Sequence, residues 1–157
     1  MYKRILVPLD GSATAERGLR EAIGLARDRQ STLFLLHVVD EYPLVLQMSS
    51  ATNHEQTERA SLRMTTLREY GDAVLAKAKM VAIKAGVTSD TRLREISSGR
   101  IADVIVEEAT SSDCDLIVMG THGRRGFSRL MLGSDAELVV RTAEVPVLLV
   151  REDDRRS

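Results

Sequence analysis

The feature that most constrains this chain is a set of short, almost unbroken apolar runs. Residues 4–9 read Arg-Ile-Leu-Val-Pro-Leu, residues 32–39 Thr-Leu-Phe-Leu-Leu-His-Val-Val, residues 115–119 Asp-Leu-Ile-Val-Met and residues 146–150 Pro-Val-Leu-Leu-Val. A strand with one face in water alternates apolar and polar residues, whereas a continuous run requires burial on both faces. Between the runs the period changes. From Ser12 to Arg29, Ala15, Leu19, Ala22, Ile23 and Ala26 make one helical stripe, with Ser12 as its N-cap. A longer helix carries Leu67, Tyr70, Val74, Ala78, Val81 and Ala85 on one face, with Gly86 as its C′ stop. Ile101, Val104, Ile105 and Ala109 mark a third helix, and Ser134 to Thr142 a short one with Ala136, Val139 and Val140 inward. Residues 91–97 make a weaker strand, its apolar Leu93 and Ile96 interleaved with Arg92, Arg94 and Glu95, as suits a sheet edge. Residues 40–60, with Pro43, Ser49, Ser50, Asn53 and His54, keep no sustained period and read as a long loop with room for a short helix. Five strands alternating with helices predict an α/β fold: a single open parallel sheet with right-handed crossovers.

At 157 residues the chain fits one domain, read as residues 1–152 with a short charged tail at 153–157. Aromatic residues are only 3% and Trp is absent, so the core must be aliphatic. With 22 Lys+Arg against 23 Asp+Glu the net charge is -1, and no global field would hold the protein on nucleic acid or an anionic membrane. No run is long enough to span a bilayer, so no membrane insertion is expected. The N-terminus leads straight into a strand, so no signal peptide is expected, and Cys114 stands alone, which excludes an intrachain disulfide. A cytoplasmic location is the expectation.

In open parallel sheets ligands bind beyond the carboxyl ends of the strands, where the strand order reverses. The residues just past each apolar run therefore carry the candidates: Asp10-Gly11, then Val38-Val39-Asp40, then Gly120-Thr121-His122-Gly123. The last opens the pattern Gly120-x2-Gly123-x9-Gly133-Ser134. Gly120 and Gly123 allow tight turns and close approach to a ligand. Gly133-Ser134 opens a helix, whose first amides and dipole favour an anion. A phosphate chain between the two is one reading; a plain loop followed by a Ser134-x-x-Glu137 capping box is the other. The pattern is neither a Walker loop nor a Rossmann fingerprint. Arg124, Arg125 and Arg129 either neutralise phosphate or form a solvated face. Asp10 either meets a ribose hydroxyl or a phosphate-bound metal, or simply caps its own turn. His37 reads as a satisfied core histidine, His54 as surface, and Cys114 as a small filler. No His/Cys spacing suits zinc, and no catalytic residue is assigned.

Together, Ile5-Leu6-Val7-Pro8-Leu9-Asp10-Gly11-Ser12, Leu36-His37-Val38-Val39, Ile117-Val118-Met119-Gly120-Thr121-His122-Gly123 and Pro146-Val147-Leu148-Leu149-Val150 resemble the universal stress protein family, and the glycine spacing resembles that of its ATP-binding branch. The resemblance covers nearly the whole chain. It implies strand order 3-2-1-4-5 in an adenine nucleotide alpha hydrolase-like fold and usually a dimer; Val147-Leu148-Leu149-Val150, apolar on both faces yet at the sheet edge in that order, points to a homodimer through the last strand. It implies adenine near Val38, ribose at Asp10 and Gly120, and phosphates at Gly123, Gly133 and Ser134. Pro8, Leu9, Met119, His122, Arg124 and Asp135 complete the expected lining. The implied cofactor is ATP, with AMP or ADP as alternatives and Mg or Mn accompanying the phosphates. Such proteins are regarded as stress sensors or regulators acting on a client protein, with slow hydrolysis at most. Asp135 departs from the pattern, because the binding branch usually carries an uncharged residue there. The competing expectations are a weak ATPase and a dimeric interaction protein with a vestigial site. Adenylating relatives of this sheet carry a Ser-Gly-Gly-x-Asp-Ser loop or a His-x-Gly-His motif, and neither occurs here.

Overall fold

The structure is a computed structural model describing residues 2–122 and 132–151. In chain order the elements are β1 (Arg4–Pro8), α1 (Ala13–Arg29), β2 (Thr32–Asp40), α2 (Tyr42–Ser49), α3 (His54–Lys84), β3 (Ser89–Ile96), α4 (Ile101–Ser111), β4 (Leu116–Gly120), α5 (Ser134–Thr142) and β5 (Val147–Val150). The strands form one five-stranded sheet of order β3-β2-β1-β4-β5, all pairs parallel, as expected.

The unbroken apolar runs are explained by the layers. Successive residues of a strand face opposite sides. Ile5, Val7, Leu33, Leu35, Leu116 and Val118 pack with α1 and α3 on one face, while Leu6, Phe34, Leu36, Ile117 and Met119 pack with α4 and α5 on the other. Both faces are covered, so no strand in the middle of the sheet can spare a polar residue without giving it a partner. The N-cap of α1 is Ser12, whose side chain accepts from the Ala15 amide, as the sequence predicts.

Residues 40–60 depart from expectation. They contain α2 and the first turns of α3 instead of a long loop. Asn53 caps α3 by accepting from the Gln56 amide at 2.9 Å, and the Gln56 side chain reaches back to the Thr52 amide at 2.9 Å. The second bond goes to the residue before the N-cap, a variant of the capping box displaced by one residue. The hydrophobic period was silent here because, up to Gly71, only Ala60 of this helix is buried. Farther along, the buried stripe is Gly71, Leu75, Ala78 and Ala82, not the larger Val81, which is 38% exposed. Small residues let α3 lie close to the sheet, so its buried face carries little bulk. Val140 of α5, expected inward, is likewise exposed at 46%.

The edge strand β3 keeps its polar pattern for a reason beyond exposure. Glu108 of α4 is buried, accepts from Arg94 Nη1 at 2.8 Å and from Ser112 Oγ at 2.9 Å, and lies 3.7 Å from Arg92 Nε. A buried carboxylate needs such partners, and here they tie β3 to α4.

Cys114 is a filler at the foot of β4, and burial pushes its thiol up to about 11. The thiolate is the reactive form, so at pH 8 native Cys114 should react with iodoacetamide roughly two orders of magnitude more slowly than an unhindered cysteine. Because the folded pKa is raised, the associated stability is complete below the unfolded value and is lost as pH rises through about 11. Mass spectrometry of labelling with and without urea checks this; equal rates in both would contradict the burial.

Candidate functional site

The site begins where two central strands part. β1 and β2 stay in register to Pro8 opposite Leu36, and the Leu9 amide still donates to Leu36 at 2.8 Å. On its other side β1 pairs with β4 only as far as Leu6 opposite Ile117. Backbone groups along a strand point alternately left and right. Lys3 and Leu9 bond toward β2 and Arg4 toward the Asp115 amide before β4, so Pro8 faces the β4 side. A proline lacks the N–H that a continuing ladder would use, and here the ladder has already ended. The crevice thus opens at the strand-order switch, between the ends of β1 and β4.

On the β1 side, Leu9 is buried and Asp10 half-buried. Asp10 Oδ1 accepts from the Ser12 amide at 2.9 Å, which is the turn-capping alternative of the two readings given for it. Gly11 sits at φ +81, a conformation that favours glycine. On the β4 side, Gly120 is packed against α1: a Cβ there would lie 2.9 Å from the carbonyl carbon, Cβ and Oγ1 of Thr14. The bareness of this glycine is therefore already required by helix packing, whatever the crevice holds. Thr14 also donates its hydroxyl to the His122 carbonyl. Sequence reasoning missed Thr14; its place in the first turn after Ser12, facing a glycine across the sheet, was the available signal.

Thr121 and Gly133 join the far wall. The Thr121 amide donates to Val150 at 2.9 Å, and the Gly133 amide donates to the Thr121 carbonyl at 2.8 Å. This places the start of α5 against the exit of β4. The N-cap is Gly133 and Ser134 is the first helical residue, so the Ser134-x-x-Glu137 box does not form, and among the described residues no side-chain cap bond is made. Asp135 is exposed in that first turn. His122 is half-buried; its Nδ1 lies 2.9 Å from Thr121 Oγ1, while Nε2 is buried with no hydrogen-bond partner among the described residues. A buried nitrogen left unpaired costs about 1–3 kcal/mol, which a ligand or water would offset.

Val38 and Met119 lie on the α4/α5 face, where half-buried Val38 and Ile101 pack against the cluster containing Leu36 and Met119. Ile101, the first residue of α4, was read only as a core position. The structure thus brings Pro8, Leu9, Asp10, Gly120, His122, Gly133, Ser134 and Asp135 to the same edge of the sheet as Val38 and Met119. Gly123, Arg124, Arg125 and Arg129 lie outside the described residues. His37 is the satisfied core histidine expected: it is buried, with Nδ1 2.7 Å from the Leu9 carbonyl. His54 is on the surface, 3.1 Å from Glu58.

An open parallel α/β domain with its crevice at the switch point, glycine-lined on one side and faced by an uncapped helix start, is the class this geometry defines. A sequence model of the Universal stress protein family matches residues 1–151, and the chain belongs to that family. It is 36% identical to universal stress protein MJ0531 of Methanocaldococcus jannaschii over 97% of this chain and 84% of that protein. The solved structure of MJ0577, from the same organism, superposes with a TM-score of 0.83 at 27% identity, covering 98% of this chain and 99% of that one. A universal stress protein of Archaeoglobus fulgidus, solved in complex with dAMP, superposes with a TM-score of 0.62 at 26% identity, covering 95% and 98%.

The Gly120–Thr14 contact gives a stability test independent of any ligand. Gly120→Ala forces a methyl against backbone and a pinned hydroxyl, which should destabilise by about 1–3 kcal/mol in urea denaturation. Unchanged stability would mean that α1 can retreat from β4.

Proposed function

We propose that this universal stress protein is an ATP-binding regulatory module of the cytoplasm that hydrolyses its nucleotide slowly or not at all and acts through a client protein. The observation that carries the reading is the pairing, across one crevice and among the described residues, of a helix start whose N-cap is a glycine with no side-chain cap bond and a buried His122 Nε2 with no partner. Both suit an anion or a polar ligand group. The Archaeoglobus relative's complex with dAMP supports an adenine nucleotide as the occupant. In this reading Val38 and Met119 offer the base an apolar wall, while Asp10 and Gly120 meet the ribose. Gly123, Arg124, Gly133 and Ser134 take the phosphates. Among the described residues no group of three or more His, Cys, Asp or Glu is placed to hold a metal, so Mg or Mn would arrive coordinated by the phosphates.

Calorimetry of the purified protein with MgATP tests this directly. Gly123→Val places a branched side chain in the glycine motif and should weaken ATP at least about tenfold, equivalent to about 1.4 kcal/mol, with the melting temperature unchanged. Asp135→Val removes an exposed carboxylate from the first turn of α5 and should tighten ATP about fivefold, since like charges ~4 Å apart in water cost about 1 kcal/mol. A wild-type protein that ignores ATP, ADP and AMP overturns the reading.

We also propose a homodimer through β5. This strand is an edge of the sheet, and Leu148 is 40% exposed on it. An unpaired apolar edge invites strand addition, and antiparallel pairing with its own copy closes at two subunits. Sedimentation should show a dimer at micromolar concentration and a shift toward monomer or aggregate for Leu148→Lys. A wild-type monomer would contradict it.

A further inference from the structure

One turn of α3, Arg68–Gly71, reaches the C-terminal ends of three neighbouring strands. The Arg68 guanidinium lies 2.7 Å from the buried Glu41 carboxylate just past β2, and 3.0 Å from Glu95 of β3. Tyr70 donates its hydroxyl to the Asp10 carbonyl, just past β1, at 3.2 Å. Gly71 lets the helix come this near: a Cβ there would be 2.5 Å from His37 Cδ2 and 2.7 Å from Leu93 Cδ1. The His37 and Tyr70 rings meet edge to face, their centroids 6.0 Å apart.

Both rings hold the same short loop. His37 Nδ1 is 2.7 Å from the Leu9 carbonyl; a carbonyl only accepts, so Nδ1 carries the proton. Tyr70 takes the next carbonyl, that of Asp10. The following residue, Gly11, turns at φ +81 directly beneath Tyr70, where any Cβ would collide with the phenol. Consecutive peptide units are thus pinned from β2 and α3, which fixes the backbone on either side of the Asp10 side chain, whose Oδ1 accepts from the Ser12 amide.

We propose that His37 and Tyr70 are positioning residues for nucleotide binding, which hold residues 9–12 in the conformation that presents Asp10 to the ligand. This rests on the ATP reading above. A loop already in its bound conformation spares the ligand the free energy of ordering it. Loss of the pins therefore lowers affinity more than it lowers stability. The peptide hydrogen bonds replaced are few, while the freed loop samples conformations that do not bind.

The test compares wild type, Tyr70→Phe, His37→Leu and His37→Asn by calorimetry with MgATP, by thermal melting, and by amide hydrogen exchange of Gly11 and Ser12 without nucleotide. Tyr70→Phe and His37→Leu should each weaken ATP about five- to tenfold. His37→Asn restores an N–H near the position of Nδ1 and should recover binding to within about threefold of wild type. Exchange at Gly11 and Ser12 should rise at least about fivefold in Tyr70→Phe, while its melting temperature stays within about 3 °C. If wild type binds ATP and Tyr70→Phe binds it equally well, the positioning role is overturned and the ATP reading stands. If His37→Asn is as weak as His37→Leu, the donor role of His37 is overturned. If His37→Leu does not fold, Tyr70→Phe and His37→Asn decide the matter. A wild type that binds no ATP overturns both this inference and the reading beneath it.

Discussion

Everything at the carboxyl edge of the sheet depends on β1 being bonded on both sides at its start and on one side only at its end. Its pairing with β4 stops at Leu6 opposite Ile117, while its pairing with β2 runs on to Pro8 and the Leu9 amide. The cause is connectivity: the chain goes outward from β1 to β2 and β3, then returns to build β4 and β5 on the opposite side. Right-handed crossovers then place α1 and α3 over one face and α4 and α5 over the other. The elements leave β1 and β4 toward different layers, and among the described residues no strand pairing joins the two beyond Leu6 and Ile117. The site is a consequence of this topology before any side chain is considered.

The fold was legible because burial on both faces leaves a plain signature. The runs at Ile5–Leu9, Leu33–Val39 and Leu116–Met119 have no polar interruption except His37, and that residue has a carbonyl partner. Elements that bury little were harder to read. The first turns of α3 overhang the sheet, so their helical state rests on the Asn53–Gln56 cap rather than on a stripe. The buried face of α3 is written in Gly71, Ala78 and Ala82, residues too small to register as a hydrophobic pattern.

At the site, sequence spacing located the right edge of the sheet but not the work done there by each residue. Gly120 looked like a ligand-facing glycine and is also a packing glycine against Thr14. Ser134 looked like a cap and is the first helical residue, with Gly133 at the cap position. Thr14, Tyr70 and Ile101 carried no motif, since each acts through a contact between segments far apart in sequence. Spacing reports local geometry; it is silent about which helix will press on which loop.

The polarity of the crevice follows from how its backbone is satisfied. At the strand exits five carbonyls are taken: Leu9 by His37, Asp10 by Tyr70, Thr121 by the Gly133 amide, His122 by the Thr14 hydroxyl and Val150 by the Thr121 amide. The opposite holds for donors. Among the described residues the helix start of α5 has no side-chain cap bond, its N-cap being Gly133, and first-turn amides have no acceptor within the helix. His122 adds to this when the Thr121 hydroxyl donates to its Nδ1, because Nε2 then carries the proton and is itself a donor. Amides without an intrahelical acceptor add a positive contribution to the local field, against the carboxylates of Asp10 and Asp40 at the neighbouring strand exits. The exposed carboxylates of Asp135 and Glu137 oppose that contribution from within the same turn, so the field at this helix start is a balance between two acidic side chains and the aligned amides behind them.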